Sequence, residues 1–356
     1  MKLLMMLLLI FFSLFTSRAQ STYKSAVVAF YNIENFYDTI FHGSNDDVSF
    51  TPSGRKAYTR QVFNDKLGKI AQVIALIGAQ TNPDGAALIG LAEVENKMVL
   101  DTLLRHPLIR PRHYQYVHYD SRDFRGVDVA LVYNPKYFKV EKSRRIYVPI
   151  PARSKEAIYT RDILWVKGKL DGERVNVFVN HWPSRSGGQK RTEPARMMAA
   201  KTVRAFMDSL WIIDPSAKMI VMGDFNDDPL NRSITNGLKA TDNKALVNPD
   251  ELYNPWIKMY RSGSGTLAYQ DAWSLFDQII FSASFLNRDQ PGFFYYQHRI
   301  FKPAFLVETM GKYKGYPMRS YSGDTYRGGY SDHFPAYIVL LKKTVASQSD
   351  KNGGQN

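Results

Sequence analysis

The sequence predicts an α/β sandwich, with two packed sheets flanked by helices, and three observations point there. Short apolar runs of strand length recur along the chain, helical periodicity appears in only two long stretches, and no linker-like stretch or internal repeat interrupts residues 24–343. Many strands with few intervening helices suit two sheets packed face to face better than a doubly wound parallel sheet. The strands expected in order are Ala26–Tyr31, Ala87–Leu91, Tyr114–His118, Val127–Tyr133, Ile163–Lys169, Val175–Asn180, Lys218–Met222, Gln278–Phe281 and Ala336–Leu341. Helices are expected over Thr59–Ile77, where Val62, Leu67, Ile70, Ile74 and Ile77 share a face, and over Pro194–Ile212. The length admits two domains, but the motifs below run from end to end, which favours one.

The N-terminus carries Lys2, then an apolar run from Leu3 to Phe15 broken only by Ser13, then the small residues Ser17 and Ala19. Such a run is too short to span a bilayer and meets polar sequence at once, so residues 1–19 read as a cleaved secretory signal peptide rather than an anchor. No cysteine lies near residue 20, and no later stretch is apolar enough to span, so the expectation is a soluble periplasmic or extracellular protein without a transmembrane segment. The chain has no cysteine at all, which excludes thiolate zinc sites and cysteine nucleophiles. A domain of this size folds without disulfides. Loss of Lys2 and Arg18 with the leader lowers the formal charge from +14 to +12, a balance that suits anionic partners. The polar tail beyond residue 343, with SQSDKNGGQN from Ser347 to Asn356, reads as disordered.

Carboxylates, amides and imidazoles fall repeatedly at the ends of apolar strands. Asn32 and Glu34 follow AVVAFY, Glu93 follows ALIGLA, Asn180 and His181 follow VNVFV, and Asp224 and Asn226 follow KMIVMG. Asp277 precedes QIIFS, and Asp332 with His333 precedes FPAYIVL. Half-buried polar groups are costly unless paired or bound to a cation, and these would converge if the strands shared an edge. The chemistry that needs this mixture is phosphoryl transfer on a metal. Glu93, Asp332 and the amide of Asn32 supply the oxygen ligands that Mg²⁺ (or Mn²⁺) prefers. Asp and Asn can orient water and phosphate while the histidines move protons. A carboxylate fixes the tautomer of a catalytic imidazole, so Asp277 and His333 read as a pair.

The phrases FYNIENF, IGLAEVEN, FVNHWPSRSGG, MGDFNDDP, FDQIIFS and YSDHFPAYIVL resemble, in order, the motifs of the endonuclease/exonuclease/phosphatase superfamily over about residues 25–342. The resemblance implies a four-layered α/β-sandwich with two packed mixed β-sheets, as in deoxyribonuclease I. It also implies a metal-dependent phosphoester hydrolase. Carried over residue by residue, it places Asn32, Glu93 and Asp332 at the metal, with Glu34 in the acidic place near it. Asp224 and Asn226 orient water and phosphate, Asp277 supports His333, and His181 is the second catalytic imidazole. Arg161, in YTRDILWV, sits where deoxyribonuclease-like relatives carry a phosphate-binding arginine. Asp128, in FRGVDVALVY, is the candidate partner of His181. Asn180 and Arg185 join Arg161 and Asp128 as candidate substrate contacts.

Other polar residues receive plainer readings. Asp38 and Glu95 read as surface carboxylates, Asp227 and Asp228 as turn formers before Pro229, and Glu193 with Arg196 as a first-turn acid and a solvated base. His42, His106, His113, His118 and His298 read as structural or exposed. His181 argues against the abasic-site endonucleases, and SLFDQIIF lacks the Cys and Arg of the inositol polyphosphate phosphatases. Deoxyribonuclease-like and sphingomyelinase-like branches remain. Between Phe293 and Tyr330, aromatics alternate with Lys312, Lys314, Arg319 and Arg327, which fits stacking on bases and contacting phosphates, or a membrane-interface loop. The leading expectation is therefore an exported, monomeric nuclease for DNA or RNA. The alternatives are a phosphatase or lipid phosphodiesterase using the same site, and a binding protein on the same scaffold.

Overall fold

The computed structural model describes residues 22–44, 46–150, 159–245, 248 and 250–344. The expected leader and nearly all of the expected disordered tail lie outside the described residues. The strands are β1 (Thr22–Phe36), β2 (Leu88–Val94), β3 (Gln115–His118), β4 (Asp128–Tyr133), β5 (Phe138–Ile146), β6 (Ile163–Leu170), β7 (Glu173–His181), β8 (Lys218–Asp224), β9 (Ala240–Thr241), β10 (Leu252–Tyr253), β11 (Leu267–Tyr269), β12 (Ala272–Ser274), β13 (Asp277–Ser282), β14 (Phe293–Ile300), β15 (Tyr321–Ser322), β16 (Thr325–Tyr326) and β17 (Ala336–Thr344). The helices are α1 (Arg60–Leu76), α2 (Lys97–Leu104), α3 (Gln189–Ile213) and α4 (Trp256–Arg261). None is long and apolar enough to cross a membrane.

Two mixed sheets dominate. One has the order β14-β17-β1-β2-β4-β3 and the other β5-β6-β7-β8-β13-β10-β9, with β11-β12 and β15-β16 as separate hairpins. Alternation along each central strand sends one set of side chains between the sheets and the other outward. In β1, Ala26, Val28 and Phe30 meet Val177, Val179, Ile220 and Met222 across the interior. Val27, Ala29 and Tyr31 face outward onto Phe63, Leu67, Ile70 and Ile74 of α1. Outside the second sheet, Ala199, Val203 and Met207 of α3 pack on Phe178 and Val221. These three apolar layers make the expected four-layered sandwich. At Gly90 a Cβ would lie 2.6 Å from Met222 Sδ, so the absent side chain lets the two sheets approach.

The nine expected strands are present. Two of the longer ones the sequence reading leaves out are β5 and β14. The segment FKVEKSRRI of β5 forms the edge of its sheet with charged residues outward, the usual protection of an unpaired edge, and its charge hides the strand period. Helix α1 begins after Thr59, whose hydroxyl accepts the Val62 N–H. Helix α3 begins at Gln189, five residues before the expected start, because its first turns, QKRTE, carry no apolar repeat.

Candidate active site

The pairing of the strands brings the polar residues to one rim. Strands β7 and β8 run parallel and set His181 opposite Asp224, and the antiparallel neighbour β13 sets Asp277 opposite the same Asp224. In the other sheet β1 and β2 are parallel, so Asn32 and Glu93 leave at the same end. Antiparallel β17 begins there, just after Asp332 and His333. Register shifts at Asn32/Phe36 and at Ala92/Val94 turn the ends of β1 and β2 aside. Glu34, Asn35, Glu93 and Asn226 all hold positive φ, between 50° and 65°. Each such backbone costs of order 1–3 kcal/mol and persists where the surroundings over-determine it. Four at one rim mark a site.

Asp224 is its centre. Its Oδ2 accepts the Asn32 Nδ2 amide at 3.0 Å and lies 3.6 Å from Nε2 of His181 and 3.8 Å from Nε2 of His333. Its Oδ1 takes the Asn226 N–H at 2.9 Å. Burial pushes this carboxyl up to about 6, with His333 opposing and Asp277 adding to the rise. The expected carboxylate–imidazole pair is present: His333 Nδ1 and Asp277 Oδ2 are 2.7 Å apart. Burial alone would deprotonate His333, but Asp277, with Asp224 and Asp332 behind it, holds the imidazolium well above the ordinary histidine range. His181 is the opposite case: burial, reinforced by the positive charge of Arg161, holds it well below that range. Two imidazoles thus face one carboxylate, one inclined to carry a proton and the other to receive one.

A second wall is acidic. Glu93 sits in a two-pronged bond with Arg125, Nη1 to Oε1 at 3.1 Å and Nη2 to Oε2 at 3.0 Å, and takes the Asn35 N–H at 2.8 Å. Burial opposes its charge, yet Arg125 and His181 hold it below the usual carboxylate range. Asp332 is partly open to solvent and bonds Arg319 Nη2 at 2.9 Å. Glu34 accepts the Ser320 N–H at 2.7 Å, and burial beside Asp332 raises it to about 7. The donors on this wall are the carboxylates of Glu93, Asp332 and Glu34 and the Asn32 amide, all oxygen, which is a set for Mg²⁺ or Mn²⁺ rather than a thiophilic metal. Glu34 is already engaged by the Ser320 and Tyr321 N–H groups. Glu93 and Asp332 are not among the acid–histidine groups tight enough to share an ion as they stand; the tight group at this rim is Asp224, Asp277 and His333. Glu93 and Asp332 are themselves paired, with Arg125 and Arg319, so either acidic group could hold a metal only by exchanging a present partner for it.

Four expected substrate contacts are found elsewhere. Asp128 does not reach His181: its Oδ1 accepts the Ser121 N–H and its Oδ2 lies 3.6 Å from His118 Nε2, while His181 Nδ1 is buried without a partner. Asn180 is fully buried, its amide spent on Phe178 O and Met222 O and its oxygen on Trp182 Nε1. Arg161 donates to His181 O, Trp182 O and Asp123 Oδ2, so it props the strand end that carries His181. Arg185 donates to Asn226 O, Asp227, Asp228 and Asn231, which fixes the turn after β8. The surface readings of Asp38 and Glu95 are corrected too, since both are buried. Arg196, read as solvated, is buried on Asp227 at 2.8 Å. Asp227 itself is buried between these two arginines. Arg161→Met is expected to cost about 3–5 kcal/mol of stability, the cost of stranding a buried charge such as Asp123. Denaturant unfolding measures it; an unchanged midpoint with a raised KM would return Arg161 to the substrate.

Sequence reasoning missed Arg125 and Lys66. Arg125 stands between Phe124 and Gly126 in a loop with no strand-end signal. Lys66, on the inner face of α1, is fully buried, donates to Ser320 Oγ at 2.6 Å, and is pushed down by burial against the pull of Glu34, Asp332 and Glu93. Its position at the centre of the apolar stripe, between Phe63 and Ile70, was the available signal.

The model of the Endonuclease/Exonuclease/phosphatase family matches residues 27–342. No curated protein matches. Among solved structures, an endonuclease/exonuclease/phosphatase family protein from Bacteroides thetaiotaomicron superposes with a TM-score of 0.56 at 19% identity, over 91% of this chain and 99% of that one. A mannosyl-6-phosphatase from Bacteroides thetaiotaomicron gives 0.54 at 18% identity, over 88% and 99%. TDP2 from D. rerio, complexed with single strand DNA product, gives 0.51 at 12% identity, over 89% and 99%. These likenesses show the fold.

Proposed function

The chain belongs to the endonuclease/exonuclease/phosphatase family, and from that premise we propose that it is an exported, divalent-metal-dependent phosphodiesterase whose substrate class is nucleic acid. The observation that carries the reading is Asp224 Oδ2 set between the Nε2 atoms of His181 and His333. Glu93 and Asp332, with the Asn32 amide, are the residues that would hold Mg²⁺ or Mn²⁺, and a bound ion supplies charge stabilisation at a phosphoryl oxygen. Asp224 accepts a proton or orients a water from its place between the rings. Asn226, pinned through its own N–H to Asp224 and through its side chain to Trp182 O, keeps the turn rigid beside the reacting phosphate. His333, kept cationic by Asp277, gives its proton to the leaving oxygen as its bond to phosphorus breaks, while the attacking water forms the new bond and must lose a proton. His181, kept neutral, takes one. Export rests on the apolar run Leu3–Phe15.

A diester fits better than a monoester on electrostatic grounds. Arg161, Arg185 and Arg125 are all committed to protein acceptors, so few free cations are left deep in the site for a dianion. Outside it, Tyr269 and Tyr313 are exposed, and the 301–330 excursion reaches the site through Ser320, whose N–H binds Glu34. Lys312, Lys314 and Arg327 lie on this excursion and supply the cations a polyanion would need. A phosphomonoester is the second reading, because half-exposed Arg319 beside Asp332 offers it one further cation.

The test is a panel of duplex DNA, single-stranded DNA, RNA, sphingomyelin and sugar phosphates, each with Mg²⁺ and with chelator. Nucleic acid should be cut fastest, with binding that falls steeply with salt, at a log–log slope of roughly −0.9 per duplex phosphate contact. Neutralising Lys312, Lys314 and Arg327 together should flatten that slope and raise KM, with kcat on a minimal diester unchanged. Arg319 is left out of this variant because it touches Asp332. Brisk hydrolysis of a sugar phosphate beside inert DNA would replace the nuclease reading with the phosphatase one.

A further inference from the structure

A second acidic cluster lies behind the first, where the chain leaves β1 and β2. Asp38, Asp47 and Glu95 are 4%, 1% and 7% exposed, three carboxylates removed from water in one place. Glu95 Oε2 accepts the Asp38 N–H at 2.7 Å and the Asn96 amide at 3.1 Å. Asp38 Oδ1 accepts the Ile40 N–H at 2.6 Å; its Oδ2 accepts the Asn96 amide at 2.9 Å and stands 2.9 Å from His42 Nε2. Asp47 Oδ2 accepts the His42 N–H. Two oxygens remain, Glu95 Oε1 and Asp47 Oδ1, both buried and both without a hydrogen-bond partner. Burial, with the Asp47 carboxyl within hydrogen-bonding reach, pushes Glu95 up to about 9, so without a cation these two groups would share a proton. Among the described residues no lysine or arginine pairs with any of the three, and Arg125 is taken by Glu93 and Asp46. Ligand atoms of Asp38, His42 and Glu95 lie within 4.8 Å of one another.

Three buried carboxylates with a single imidazole to offset them are not stable as free anions. The two unpartnered oxygens are what a cation would occupy. We propose that Asp38, Asp47 and Glu95, with His42 on the open side, form a second divalent-cation site, separate from the one at Glu93 and Asp332. Three carboxylates and an imidazole, with no sulfur, select an oxygen-seeking ion that tolerates one nitrogen, for which Mn²⁺ is a suitable probe. The site fastens the 38–47 loop to the end of β2. Glu95 lies two residues beyond Glu93, and Asp38 three beyond Asn35, whose N–H binds Glu93. An ion here therefore holds both strand ends that position the catalytic wall.

Chelated full-length protein is titrated with Mn²⁺ and bound ion counted from the loss of the free-ion electron paramagnetic resonance signal. Glu93→Gln should still bind one equivalent, and that equivalent should raise the melting temperature and slow amide exchange over residues 38–47. Asp47→Asn combined with Glu95→Gln should abolish it. Should the double variant misfold by circular dichroism, His42→Ala is the substitute, expected to weaken the same equivalent by about tenfold or more. The proposal is overturned if Glu93→Gln binds no Mn²⁺, or if the double variant binds as much as the wild type. It is overturned equally if the double variant is more stable and the ion count does not change, since the carboxylates would then be sharing a proton. Two equivalents retained by Glu93→Gln would instead count against Glu93 as a ligand and leave this site standing.

Discussion

His181→Ala and His333→Ala are each expected to lower kcat by about 10²–10⁴-fold, the contribution of one positioned acid or base, with the melting temperature little changed in the first and lowered in the second, which strands the buried Asp277. Both imidazoles lie within 4 Å of Asp224 Oδ2, so removing either leaves a phosphate with proton transfer on one side only. The double variant should fall by less than the product of the two, because groups acting as a unit are not additive. Asp277→Asn separates placement from charge. It can keep the His333 ring in position while removing the anion that holds its proton, so the His333 limb of the kcat–pH profile should move to lower pH. A uniform loss of activity with no movement of that limb would assign Asp277 to packing alone. Near-normal turnover in either alanine variant would end the two-imidazole reading.

The second large effect is expected at Glu93. Glu93→Gln removes a carboxylate held ionised by Arg125 on a strained, bulged backbone, and turnover should then need far more Mg²⁺ for half-activity. The loss should be partly recovered at high Mg²⁺. Arg125 is left without its partner in this variant, so a fall in stability is expected beside the metal effect, and the two are separable. Circular dichroism melting reports the first and the Mg²⁺ dependence at fixed temperature reports the second. Unchanged Mg²⁺ dependence would place the ion elsewhere, with the tight group Asp224, Asp277 and His333 as the remaining candidate.

How far the site could be read from sequence followed from which residues sit at strand ends. Asn32, Glu93, His181, Asp224, Asp277 and His333 each interrupt or adjoin an apolar run, and strands paired in register carry such residues to a common rim whatever the loops do. The pairing of Asp277 with His333 was legible for that reason. Residues whose role depends on side-chain reach were not. Arg161, Asn180 and Arg185 carry the chemistry of phosphate ligands, but their polar atoms turn back to the His181–Trp182 backbone, to neighbouring strand carbonyls and to the turn after β8. Asp128 faces His118 because β4 pairs with β3, a neighbour the local sequence does not name. Asp38 and Glu95 read as surface acids because no apolar pattern around them marks their burial. Lys66 was concealed by lying within an apolar helical stripe. The same limit applies to the fold: apolar β1, β2, β7 and β8 were evident, whereas edge strand β5 carries so many charges that its period is lost.

If this rim hydrolyses phosphoesters with a divalent ion held by oxygen ligands, its activity depends on both the ion and Asp224. The most direct test is the initial rate of hydrolysis of a simple aryl phosphodiester by chelated wild-type protein as Mg²⁺ is restored, run beside Asp224→Asn at equal concentration. Expected are no turnover without metal, recovery with Mg²⁺ or Mn²⁺, and no recovery in Asp224→Asn at any metal concentration. Full turnover in excess chelator, or equal rates in the wild type and Asp224→Asn, would contradict that dependence.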